Sequence, residues 1–117
     1  MAVTSITPFL WFDTQAEDAA KYYVPLFPNS RILQVSRYGD FMPGKEGKVM
    51  VVELELMGQR LTFMNGGPNF TLDEAFSLSV ACETQADIDR LWDALAHKPS
   101  ACGWTRDRFG VVWQINY

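Results

Sequence analysis

Between Val49 and Met57, Met50, Val52, Leu54 and Leu56 share one face and Glu53 and Glu55 the other. A period of two predicts a strand with one packed face and one wetter face. The strand is expected to turn at Gly58 and Gln59 into a second, Arg60 to Asn65, as a hairpin. Two further runs, Ile6 to Phe12 and Ala75 to Cys82, are free of charge and rich in β-formers, so each reads as a strand. In the first, Phe9 and Trp11 oppose Leu10 and Phe12. In the second, Ser77, Ser79 and Ala81 oppose Phe76, Leu78 and Val80.

Each of these two strands runs into nearly the same words, "DTQAED" from Asp13 and "ETQADI" from Glu83, with Thr14 and Thr84 lying 70 positions apart. Threonine followed three residues later by an acid is a helix-capping signal. Thr14 with Glu17 predicts a capping box and Thr84 with Asp87 a shorter version, each stabilising its helix by about 1 kcal/mol. The period then changes to that of a helix. Ala19, Tyr22, Tyr23 and Leu26 form one apolar stripe, and Ile88, Leu91, Trp92 and Leu95 another at an offset of 69. Matching strand, cap and buried stripe point to one structural unit written twice.

Pro25 and Pro28 end the first helix, Ser30 to Tyr38 reads as a strand, and Gly39 to Gly47 is a polar loop. The first half is therefore β-α-β-β-β. After the second helix the chain has room for a hairpin turning at Asp107 to Gly110, with at most a vestigial strand near Pro99 to Ala101. The expected architecture is α+β in a single domain, residues 1–117, with module one at 1–67 and a shortened module two at 74–117.

With 117 residues the chain can bury roughly two-thirds of its unfolded surface without disulfide or metal staples. No apolar run approaches the roughly 18 residues of a membrane span, and the N-terminus lacks the pattern of a signal peptide, so no membrane association and a cytoplasmic location are expected. Net charge is −4 and the ten Lys and Arg are scattered, which argues against nucleic acid as a partner. Cys82 and Cys102 lack metal-ligand spacing and are expected as free thiols, Cys82 packed as a small apolar residue. His97, the single histidine, reads as a solvated residue at the end of the second helix.

Helices on one sheet face and small or polar residues on the other suggest a concave, ligand-holding surface. On this reading Phe9 and Trp11 supply an apolar wall, and Ser77 and Ser79 small polar contacts, for a small-molecule ligand. Catalytic residues are not identified. Glu53 and Glu55 are weak candidates, since a carboxylate in such a cavity can gain basicity. Gly66 and Gly67 follow a hairpin strand and precede Pro68, so they make a turn rather than a nucleotide-binding loop.

The repeated unit, the opening ITPFLWF, the central NGGPNF (Asn65 to Phe70) and the ending CGWTRDRFGVVWQI (Cys102 to Ile115) together resemble the PhnB-like proteins. These are often labelled 3-demethylubiquinone-9 3-methyltransferase-like, within the vicinal oxygen chelate superfamily that includes glyoxalase I, the bleomycin resistance proteins and extradiol dioxygenases. The resemblance implies two βαβββ-type modules forming a curled mixed sheet, or a pair of sheets, around a cavity, in a homodimer. Metal-using members bind a divalent ion through His and Glu at positions that fall here near Thr7, near Thr62 or Met64, near Ala75 or Ser77, and on Gln114. None offers imidazole or carboxylate. No cofactor is therefore expected: a divalent metal would lack its usual ligands. The resemblance leaves two functions open, metal-free binding of a small molecule, with Phe70 and Trp104 joining the apolar walls and Thr62, Asn65 and Gln114 the polar contacts, or an enzyme of lyase, isomerase or dioxygenase type, and carries methyl transfer only as a label.

Overall fold

The computed structural model describes all 117 residues. The elements run β1 (Phe9–Phe12), α1 (Ala16–Tyr23), a 3-10 turn (Val24–Leu26), β2 (Arg31–Arg37), β3 (Val49–Leu56), β4 (Gln59–Asn65), β5 (Leu78–Ala81), α2 (Gln85–Leu95), β6 (Lys98–Pro99), β7 (Trp104–Arg106) and β8 (Val112–Asn116). They build two four-stranded mixed sheets with the orders β1-β4-β3-β2 and β5-β8-β7-β6. In each sheet the strand that precedes the helix pairs in parallel with the last strand of its module, and the other pairings are antiparallel. The repeated word thus marks a repeated topology, carried by a pair of sheets. The compact units are Met1–Phe70 and Thr71–Tyr117.

In the first unit the alternation of β3 holds: Val52, Leu54 and Leu56 are buried while Glu53 and Glu55 stay half-buried on the opposite face. Leu10, Phe12, Leu61 and Phe63 join the buried face and meet the Ala16, Ala19, Ala20 and Tyr23 side of α1. The Phe63 ring packs against Phe12 at 4.9 Å and Tyr23 at 6.0 Å between centroids. In the second unit Leu91 and Leu95 of α2 are buried, as are Trp113 and Ile115 on β8.

Four sequence expectations shift. The strand expected from Ile6 begins at Phe9, because Pro8 has no N–H to give a ladder, although its carbonyl accepts from Thr62 N at 3.0 Å. The strand expected from Ala75 begins at Leu78, because the Asp73 carboxylate accepts from Ala75 N at 2.9 Å and holds a turn there. The β3–β4 turn falls at Met57–Gly58, both with positive φ (51° and 85°), since Leu56 pairs directly with Gln59. The sixth strand survives, reduced to Lys98–Pro99.

The two helix starts also differ. Thr84 caps α2 as expected, accepting from Asp87 N at 3.2 Å and donating to the Asp87 carboxylate at 3.0 Å. Thr14 does not cap α1. The cap position is Gln15, and the Asn65 side-chain oxygen, delivered by the end of β4, accepts from Ala16 N at 2.8 Å. A side chain distant in sequence has taken over the task predicted for a local one.

Candidate functional site

Strand register decides which side chains share the face turned away from α1. Phe9, Thr62, Glu53 and Gln34 are successive cross-strand partners and form one row over all four strands. Trp11, Met64, Val51 and Ser36 form the next. Neighbours within such a row lie about 5 Å apart at Cβ, close enough to contact one ligand.

Trp11 is the fixed point of this face. Its indole N–H donates to the Gly67 carbonyl at 2.9 Å, and the Phe70 ring stands nearly perpendicular to it, with centroids 5.0 Å apart. The ring also lies against Gly66, where an added Cβ would fall 2.2 Å from Cζ2. The glycine pair in NGGPNF therefore seats a tryptophan. Phe9 and Phe70 are well exposed beside it, and Thr62 is half-buried.

The two candidate acids part company here. Glu55 pairs with Arg31, Nε to Oε1 at 3.8 Å, and lies opposite Arg60. Glu53 makes no ion pair, half-buried between Thr62 and Gln34. Gln34, which no sequence signal singled out, becomes a candidate through this register alone.

The second unit brings its four candidates together in the same way. Ser79, Gln114 and Trp104 form one cross-strand row on the face turned away from Trp113 and Ile115. Gln114 Nε2 donates to the Ser77 hydroxyl at 2.9 Å. Beside this row is a cleft of about 400 Å³ lined by Trp104, Ser100, Lys98 and Arg106. Arg106 is held by Glu74 and by the Leu72 carbonyl at 3.0 Å.

Asn65 plays a different part from the other candidates. Besides capping α1, its Nδ2 donates to the Val49 carbonyl at 3.3 Å, and its main-chain oxygen accepts from the Tyr38 hydroxyl at 2.6 Å. The residues at the metal-ligand positions do not fit a His/Glu centre. They supply hydroxyl, thioether, methyl and amide groups, and the Gln114 amide nitrogen is already committed to Ser77. No three His, Cys, Asp or Glu side chains gather as a metal-binding group.

The ending CGW, DRFG and WQI has a structural role that sequence reasoning missed. Asp107, 4 % exposed, accepts from Phe109 N at 2.8 Å, Val111 N at 3.0 Å and the buried Trp113 indole at 2.8 Å. Both cysteines are free thiols, Cys82 buried and Cys102 exposed, and His97 is exposed just beyond α2. Burial, reinforced by Asp87 and opposed by Arg90, pushes the Cys82 thiol above its usual range. Folding therefore favours the neutral thiol, a contribution present below the usual thiol pKa and lost as pH rises through the raised value. Iodoacetamide at about pH 8.5 should alkylate Cys102 first and leave Cys82 largely unmodified, as read by peptide mass spectrometry. Equal rates would contradict that burial.

This geometry agrees with the relatives. The 3-demethylubiquinone-9 3-methyltransferase family model matches residues 4–116, and the fold is that of the glyoxalase/bleomycin resistance proteins. The chain belongs to the 3-demethylubiquinone-9 3-methyltransferase family. A PhnB protein from Bacillus cereus, named for 3-demethylubiquinone-9 3-methyltransferase, is 36% identical over 97% of this chain and 100% of its own, with a TM-score of 0.83. The fosfomycin resistance protein FosX from Listeria monocytogenes shares the fold at 11% identity, covering 96% of this chain and 91% of its own, with a TM-score of 0.55. A glyoxylase/bleomycin resistance protein/dioxygenase domain from Frankia does so at 16%, covering 96% and 90%, with a TM-score of 0.52. A search of curated proteins gave no significant match. No helix is long and apolar enough to cross a membrane.

Proposed function

We propose that this chain binds a small, largely apolar molecule on its sheet faces without a metal ion. The observation that carries the reading is the seating of Trp11, with its N–H tied to Gly67, its ring laid on Gly66 and the Phe70 ring set nearly perpendicular to it. An aromatic wall so fixed loses little freedom when a ligand stacks on it, which favours affinity. Phe9 and Thr62 flank it, and in the second unit Trp104, Ser77, Ser79 and Gln114 offer a matching apolar wall with polar contacts. The methyl-transfer name is not supported by the glycines, since Gly66 and Gly67 serve the tryptophan rather than a nucleotide.

Fluorescence titration against a panel of aromatic and cationic compounds tests the reading. At least one compound should bind saturably and raise the melting temperature, and Trp11→Ala should weaken it by about tenfold or more, roughly the worth of a stacked aromatic contact. Silence of the whole panel in both fluorescence and thermal shift would count against it.

A second reading, an enzyme of the superfamily, rests on Glu53 alone. A half-buried carboxylate free of ion pairs, between a threonine and a glutamine, supports a role as general base. If a panel compound is turned over, Glu53→Gln should abolish turnover while leaving binding in place. The homodimer that the resemblance implies belongs to the same proposal, and light scattering at micromolar concentration reads it directly.

A further inference from the structure

The first unit carries a second concavity, distinct from the face of Trp11. It is a cleft of about 490 Å³, within the range of small-molecule sites, at the junction of β1 with α1 and beneath the segment joining β2 to β3. Its two walls are oppositely charged. The β1–α1 junction supplies Asp13, Glu17 and Asp18, and the opposing segment supplies Lys45 and Lys48.

Charges of opposite sign lining one cleft would ordinarily close on each other, yet no ion pair joins these walls. Glu17 instead takes Lys21, at 3.7 Å, and the Lys45 ammonium sits 5.2 Å over the Tyr38 ring. Asp13, Asp18 and Lys48 have no ionic partner. The floor explains why the walls stay apart. The Tyr38 hydroxyl is bound to the Asn65 carbonyl, the Asn65 side chain bridges Ala16 N and Val49 O, and the backbone of Lys48 is held by Tyr38 N at 2.9 Å. These hydrogen bonds fix the width of the cleft, and the acids do not gather as a metal-binding group.

We propose that this cleft binds a small zwitterion of the amino-acid type, its ammonium toward Asp13 and Asp18 and its carboxylate toward Lys48 and Lys45. A molecule with both charges neutralises each wall at once. One with a single charge leaves the other wall unsatisfied and gains only the modest energy of an exposed ion pair.

The test is NMR titration of the full ¹⁵N-labelled chain with glycine, 4-aminobutyrate and 6-aminohexanoate, with propylammonium and butyrate as singly charged controls. At least one zwitterion should saturate below about 10 mM, shifting the amides of Asp13 to Asp18 and of Lys45 to Lys48. Its affinity should fall by about tenfold in each of Asp18→Asn and Lys48→Met and stay unchanged in Arg60→Met, which lies on the other face. Asp18 and Lys48 are exposed, so both variants should fold. The proposal is overturned if no zwitterion saturates, if a singly charged control binds as tightly, or if the two cleft variants bind like the parent chain.

Discussion

Replacing Asp107 by alanine should destabilise the protein by about 3–5 kcal/mol, a large part of what holds a domain of this size together. The Asp107 carboxylate is nearly fully buried and accepts three hydrogen bonds, two from the backbone of the turn into β8 and one from the Trp113 indole. Trp113 is itself 1 % exposed, so its orphaned N–H would have no access to water. Asp107→Asn retains one carbonyl oxygen for either the backbone pair or the indole, and should cost less, about 2 kcal/mol. Urea denaturation of the two variants reads the order directly. Equal stability of Asp107→Ala and the parent chain would show that DRFG is no structural element.

Gly103→Ala should be nearly as severe, at about 3 kcal/mol, for two independent reasons. Its φ is +79°, a conformation L side chains rarely adopt, and an added Cβ would stand 2.4 Å from the Ile115 carbonyl oxygen. That neighbour is backbone and cannot swing aside, because Ile115 N also donates to the Gly103 carbonyl at 2.9 Å. The glycine of CGW thus exists to let the chain before β7 lie against the isoleucine of WQI. A loss below about 1 kcal/mol by urea denaturation would mean the backbone there gives way.

These two motifs show what kind of information a sequence hides. CGW, DRFG and WQI were visible as words and carried the family resemblance. Their physical content is a close backbone approach and a buried carboxylate, and both depend on residues that meet only after β7 and β8 pair. Features set by local periodicity read through well. The alternation of β3 gave its buried and wet faces, the Ser77–Ser79 alternation gave the right face of β5, and Thr84 capped α2 through its own next turn.

Features set at long range did not read through. Thr14 has the same local signal as Thr84, but Asn65 arrives from β4 and takes the Ala16 N–H instead. Asn65 in turn looked like a ligand contact, being polar at a strand end, and is largely occupied with holding α1 and β3. Glu53 and Glu55 were indistinguishable in sequence. The register of β2 against β3 separated them by giving Arg31 to Glu55 and Gln34 to Glu53. Candidate-site residues are legible where the fold repeats a simple period. They become ambiguous where a distant strand chooses the partner.

The central claim is that the sheet faces bind a small molecule with no metal ion. Isothermal titration with the tightest panel compound, on protein stripped by chelator and on the same protein reloaded with manganese or zinc, addresses it most directly. The account predicts equal affinity and equal stoichiometry in both preparations, with no stoichiometric ion in elemental analysis of the reloaded sample after desalting. Binding that appears only in the reloaded protein, with one retained ion whose loss follows substitution of Glu53 or Gln114, would contradict it.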